Sequence, residues 1–331
     1  MNVTALCPLQ EAEVWTLENR AVRVSVERAT GLIRAAVFKK NRIDLFQQTR
    51  SCVAGQAGVL RVYDERDDVW YEDLRSAFRV TDGRQRGNVV SFTKQYAGAP
   101  FTLRVRLTME GNFLRWEVEA RKLRPSVADR SLRVSFGMPL IAGWKLWAPC
   151  ALGERTFDGM TPFEHCHLQV SYVSEQEVIL PMVSHFDGAL DVGYSVLEPI
   201  DAQVPAAKFA FNNADRGFTW RHQSGLAAAP TLETINAFIG LTGNRPLRTQ
   251  VMLLFHEGHW RPALGEVFRR WKPFFVPPNP HFYDLEGMFT CAGVHSGYRP
   301  AAEWKRLGCK LLEAHGHFSY YGDYHLARRA R

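Results

Sequence analysis

The residues best equipped for chemistry gather in "LLEAHGHFSYYGDYH", where His315, His317, Tyr320, Tyr321, Asp323 and Tyr324 follow Glu313 in close succession. Imidazoles and a carboxylate exchange hydrogen bonds with hydroxyls, and phenol rings stack on flat apolar faces. The set therefore suits a hydroxyl-rich ligand, with Glu313, His315, His317, Tyr321 and Asp323 as its contacts; an exposed loop with ordinary aromatics accounts for it as well. Glu313 and Asp323 also present themselves as an acid/base pair. One strand and its following loop rarely bring two carboxylates face to face across a bond, so no catalytic residue is assigned.

Three other constellations compete with this one. "HEGH" (His256, Glu257, His259) and "HCH" (His165, Cys166, His167) suggest metal, but zinc-protease chemistry needs histidines four apart on a helix. Here the first pair is three apart at a strand end, and the second marks no third or fourth ligand. Both are read as ordinary core or polar histidines, and neither a metal nor a cofactor is expected. "YDERDDVWYEDLRS" holds Asp67, Asp68, Trp70, Tyr71, Glu72 and Asp73, the composition of a sugar-contacting loop; a solvated loop capping a sandwich accounts for it as well. Trp144 and Trp147 are expected to pack between sheet and helix. His167, His185 and Glu198 could supply the histidine acid and glutamate base of a sugar epimerase, but no motif ties them together.

The elements that must position these residues are read from periodicity. From about residue 12 to 255 the dominant period is two. "VWTLENRAVRVSVERATGLIRAAVF" gives two strands about a turn at Ala29-Thr30-Gly31, and Gly111-Asn112 joins "FTLRVRLTME" to "FLRWEVEAR" as a hairpin. Further runs, "NVVSFTKQY", "SLRVSFGMPL", "EVILPMVSHF", "GALDVGYSVLE", "KFAFN", "ETINAFIGLT" and "LRTQVMLLFHEG", complete a large antiparallel sandwich. At His259 the grammar changes. "WRPALGEVFRRWKPFF" places Trp260, Leu264, Val267, Phe268 and Trp271 at helical spacing, with Pro262 in the first turn. "VPPNP" then forces an extended linker. Beyond it a short helix ending at Gly308 and a strand over Cys309–Ala314 read as an α/β element.

Composition bounds the function classes. The net charge of +7 invites a nucleic-acid partner. Yet Arg104, Arg106, Arg115 and Arg121 alternate with apolar residues, as on the solvated face of a sheet, and no basic cluster or binding motif accompanies them. No apolar run is long enough to span a membrane. The start of the chain has no secretory pattern and the six cysteines form no CxxC pair, so a cytoplasmic, thiol-reduced protein is expected.

The phrase "LENRAVRVSVERATGLIRAAVF", with its "N" turn and "TG" turn, resembles the opening of galactose-mutarotase-like β-supersandwich domains. The long sandwich, the helix "RPALGEVFRRW" and the Pro-rich linker are similar in layout to glycoside hydrolases that carry such a domain ahead of a (β/α)8 barrel. "RLGCKLLEAHGHFSYYGDY" is similar to their first barrel strand and loop. The resemblance implies a mainly β fold with a sandwich domain over residues 1–258, a connecting helix and linker over 259–283, and the incomplete start of a barrel over 284–331. It implies a carbohydrate ligand and a glycosidase whose catalytic carboxylates lie on later barrel strands. A barrel needs about 250 residues, so this chain is expected to recognise sugar without turning it over. A stand-alone sugar-binding or aldose-epimerase-like module and a metal-dependent hydrolase remain alternatives. Exposed barrel-fragment surface is expected to favour self-association.

Overall fold

The computed structural model describes residues 13–45, 58–149, 153–158, 164–166, 180, 182–199, 219–223, 231–235, 239–276, 289–293, 301–307 and 311–315. Elements are numbered in chain order. The fold is mainly β, and every strand pairing in its three larger sheets is antiparallel. The chain divides into two compact units, residues 1–267 and 268–331.

The opening segment makes three strands rather than two: β1 (Val14–Glu18), β2 (Val22–Glu27) and β3 (Ile33–Phe38). Asn19 supplies the extra turn, its Oδ1 accepting the backbone N–H groups of Ala21 and Val22, both at 2.8 Å. An Asn side chain that satisfies the backbone just beyond it replaces the ladder bonds a continuous strand would use.

Among the described residues, a seven-stranded sheet runs β13 (Glu164–Cys166), β16 (Thr219–Gln223), β17 (Thr231–Ile235), β10 (Arg130–Pro139), β4 (Val59–Asp64), β5 (Val69–Glu72), with β18 (Ile239–Leu241) also on β10. A nine-stranded sheet runs β12 (Glu154–Thr156), β11 (Lys145–Trp147), β14 (Met182–Asp187), β15 (Val192–Leu197), β19 (Leu247–His256), β9 (Phe113–Lys122), β8 (Phe101–Glu110), β7 (Val89–Tyr96), β6 (Phe78–Arg86). Their alternate apolar residues, such as Leu60, Val62, Phe92, Val105, Trp116, Val134 and Phe136, close into one core. The β8–β9 hairpin turns at Gly111-Asn112 as its sequence indicates, with Glu110 opposite Phe113. Arg104, Arg106 and Arg121 are exposed as expected, while Arg115 is half-buried against Glu110 and Gln250.

Helix α1 (Trp260–Arg270) follows β19. His259 caps it: the Arg261 N–H donates to His259 Nδ1 at 3.2 Å, satisfying a donor that has no partner within the helix. Ala263 and Val267 are buried, and Trp260 stacks on Trp147 at 4.2 Å with the rings 2° apart. Trp147 thus sits between sheet and helix. Phe268 departs from the helical reading; it is exposed and meets Phe275 of α2 (Lys272–Phe275) edge-on at 4.3 Å.

In the second unit β20 (Phe289–Gly293) pairs in parallel with β21 (Leu311–His315), and α3 (Ala301–Arg306) lies between them in sequence. Parallel neighbours need such a crossover. The expected strand is shifted by one or two residues and the helix ends at Arg306. The proposed strand "KFAFN" and most of "VPPNP" lie outside the described residues.

Candidate functional site

Strand β4 turns Leu60 and Val62 into the core, so Arg61 and Tyr63 face the other side of the sheet. The register then collects their neighbours. Arg61 stands opposite Glu72 on β5 and Ser135 on β10, and Tyr63 stands opposite Trp70 and Arg133. Glu233 on β17 pairs with Gly137, two places along β10 from Ser135. Four strands thus converge on one guanidinium.

The geometry is close and almost dry. Arg61 donates from Nη2 to Glu72 Oε1 at 2.7 Å and from Nη1 to Glu233 Oε1 at 2.7 Å. Ser135 donates its hydroxyl to the same Glu233 oxygen. The Trp70 ring lies over the guanidinium, 3.9 Å from centroid to Cζ, and Tyr63 packs beside it at 5.0 Å. Arg61 Nε also donates to Glu72 Oε1 at 3.1 Å, so cation–π stacking and three charge-assisted bonds fix the arginine in one orientation. Glu72 keeps one oxygen in reserve. Its Oε2 is buried and accepts no hydrogen bond among the described residues, with Arg75 Nε at 3.4 Å as an ion-pair neighbour.

The acidic-aromatic stretch is therefore not a capping loop. It is a tight turn followed by β5, and its residues split between the two faces. Asp67 pairs with Arg130 at 2.9 Å, and Asp68 accepts the Tyr63 hydroxyl at 2.7 Å. Tyr71 joins the core against Phe101. Asp73 turns inward, where Lys94 Nζ (2.7 Å) and the Tyr96 hydroxyl (2.6 Å) donate to one oxygen and the Leu60 N–H (2.7 Å) to the other. Only Trp70 and Glu72, with Asp68 at the rim, serve the outward cluster. Arg61, Ser135 and Glu233 are absent from the sequence reading. Each shares its strand with other polar residues, and no local signal singles it out.

The remaining histidines are structural where their side chains are described. His185 lies wholly inside, accepting the Ile141 N–H at Nε2 (2.8 Å) and meeting the Lys145 carbonyl at Nδ1 (3.1 Å), with Trp144 at 5.3 Å. Burial lowers its pKa to about 3. His256 is bonded to Ser195 Oγ at 3.1 Å and to the Glu257 carbonyl at 2.8 Å, and burial lowers its pKa to about 4. Both are neutral near pH 7 with both ring nitrogens engaged. No group of three metal-ligating side chains occurs among the described residues. His165 and Cys166 fall on β13, and His167 lies outside the described residues.

Gly193 lets His256 sit there: a Cβ on it would come within 2.5 Å of Phe186 Cβ and 2.7 Å of His256 Cε1. Gly193→Ala is expected to cost about 1–3 kcal/mol by overpacking, read as a lower urea midpoint with unchanged slope.

Of the C-terminal candidates, Glu313 and His315 fall on β21, with His315 opposite Gly293 and Glu313 opposite Cys291. His317, Tyr321 and Asp323 lie outside the described residues.

No family model matches this chain, and no curated protein matches it. Among solved structures it is similar to the Slr1438 protein from Synechocystis, with 13% identity, TM-score 0.46, and coverage of 77% of this chain and 99% of that one. It is also similar to a galactose mutarotase-like protein from Lactobacillus casei, with 11% identity, TM-score 0.41, and coverage of 74% and 100%. A GH36 alpha-galactosidase from Geobacillus stearothermophilus matches at 7% identity and TM-score 0.48, over 78% of this chain and 43% of that one. At these identities the roles of the site residues follow from this chain's own geometry. No helix of the described residues is long and apolar enough to cross a membrane.

Proposed function

We propose that this chain is a glycoside-hydrolase-related protein that recognises carbohydrate on the outward face of its seven-stranded sheet, without cleaving it. Glu72 Oε2, which has Arg75 as an ion-pair neighbour but accepts no hydrogen bond among the described residues, carries this reading. It is a carboxylate oxygen held in place by Arg61 and short of a donor, and a sugar hydroxyl is such a donor. The half-buried Trp70 and Tyr63 stand beside it as the aromatic surface on which a sugar's C–H face packs. Binding rather than epimerisation is favoured because an epimerase acid must carry a proton near neutral pH. His185 does not, nor does His256; His167, the other candidate acid, lies outside the described residues.

A separate sugar contact is proposed within the second unit. In α/β units ligands gather beyond the carboxyl ends of parallel strands. Glu313 and His315 of β21, with His317, Tyr321 and Asp323 that follow in sequence, are proposed as its contacts. Residues 1–258, 259–283 and 284–331 are taken as sandwich, connector and barrel-like start.

Thermal unfolding in the presence of a panel of neutral hexoses tests this. At least one sugar is expected to raise Tm by about 3 °C or more at saturation, and Trp70→Ala is expected to remove that shift. A panel without effect contradicts sugar recognition. A His315→Ala/Asp323→Ala variant that keeps the full shift contradicts a sugar contact in the second unit. Turnover of an aryl glycoside, lost on changing Glu313 or Asp323, contradicts the absence of cleavage.

A further inference from the structure

The outer face of the nine-stranded sheet carries a charged groove remote in sequence from the Glu72 site and independent of it. Strand β6 pairs with β7 as Arg79↔Gln95, Thr81↔Thr93, Arg84↔Ser91 and Arg86↔Val89. Strand β7 in turn pairs with β8 as Ser91↔Arg106 and Thr93↔Arg104. Residues opposite one another in a ladder project to the same face. Phe92, Lys94 and Tyr96 of β7 are buried on the other side, so this face is outward.

The arrangement depends on a bulge. The register slips between Thr81 and Arg84, where Asp82 takes a left-handed φ of 55°. Gly83 lies so close to Trp15 that a Cβ there would approach the indole to 2.4 Å. Strict alternation from Arg79 would send Arg84 and Arg86 inward; the one extra residue returns both to the outer face. Three arginines therefore line the edge strand and two line β8, about 9.6 Å away across β7, above a floor of short side chains that includes Ser91 and Thr93. All five arginines are exposed. Arg79 donates to Gln95 at 2.8 Å and Arg106 stands 3.8 Å from Glu117. Arg84 and Arg86 make no ion pair among the described residues, and Arg104 stands opposite Glu119 on β9, whose carboxylate is taken by Arg121 and Arg248.

We propose that this groove holds a linear acidic polysaccharide. Its carboxylates or sulfates pair with Arg84, Arg86 and Arg104, and its hydroxyls bond to Ser91 and Thr93. Guanidinium groups match both anions with two parallel hydrogen bonds, and the hydroxyl floor matches a sugar chain. Single-stranded nucleic acid fits less well, because it is held by aromatic rings that stack on bases and this face offers none on β6, β7 or β8.

The test is binding of the full chain to polygalacturonate, dextran sulfate, uncharged dextran and a thymidine oligonucleotide at about 50 mM salt. Polygalacturonate or dextran sulfate is expected to bind, more weakly as salt rises, and the one that binds names the anion. Arg84→Ser/Arg104→Ser is expected to weaken it about tenfold. Arg23→Ser/Arg66→Ser, which removes exposed arginines outside this sheet that are bonded to Glu18 at 3.2 Å and to the Asp129 carbonyl at 3.3 Å, is expected to change it less than about twofold. Three results overturn the proposal: no binding to either acidic polymer, equal or tighter binding of the oligonucleotide, or equal losses in the two double variants.

Discussion

Replacing Asp73 by alanine is expected to remove about 3–5 kcal/mol of stability, because it strands a buried cation. The Lys94 side chain is 0% exposed and that of Asp73 1%. Burial lowers the Lys94 pKa, with Asp73 working against that shift. Without the carboxylate the ammonium has lost its counter-charge in the core, and the Tyr96 hydroxyl and Leu60 N–H lose their acceptor as well. Urea unfolding of Asp73→Ala measures the cost, and a double variant with Lys94→Met should recover part of it, since the stranded charge is then gone. A loss below about 1 kcal/mol, the range of exposed pairs, would mean that this pair is not in the dry interior.

The second large effect is acid instability between pH 7 and 5. The folded pKa values of His185 and His256 are lowered to about 3 and about 4 from an ordinary 6.5. Both are neutral in the fold throughout this window, while the unfolded chain takes up a proton on each below 6.5. Stability is therefore whole above that point and falls as pH drops toward the folded values. Each histidine contributes about 1.4 kcal/mol per pH unit, or about 4 kcal/mol for the two by pH 5. Urea midpoints at the two pH values test this, and His185→Gln, compared with its own stability at pH 7, should show about half the fall. Equal midpoints at pH 7 and 5 would contradict the buried neutral histidines. Most paired carboxylates titrate below this window, which keeps the two causes apart.

How much of this was legible in the sequence depends on the range of the signal. The β8–β9 hairpin and helix α1 were readable because period, turn and cap are all local. Strands β4, β5 and β6 are not among the expected runs: "VLRVYD", "VWYE" and "FRVTDGRQR" carry acids and arginines, and the last a Gly-containing bulge, in place of clean alternation. Phe268 kept the helical spacing yet faces outward, since spacing gives a stripe's direction but not its width. The site was half visible. Trp70 and Glu72 stood out by composition, but their partners Arg61, Ser135 and Glu233 come from three distant strands. Register across non-consecutive strands brings them together, and no single stretch of sequence encodes it. The same composition misled for Asp73, whose turn after β5 sends it to the opposite face.

Calorimetric titration of the protein with the hexose that most raises its Tm tests the central claim most directly, repeated on Glu72→Gln. The amide keeps the shape of Glu72 but turns the reserved acceptor into a donor wherever its nitrogen takes the Oε2 position. Saturable binding by the unchanged protein, weakened about tenfold or more in Glu72→Gln, is the predicted result, the expected scale for a lost hydrogen bond to a charged group. Equal affinity in the two proteins would contradict sugar recognition at Glu72.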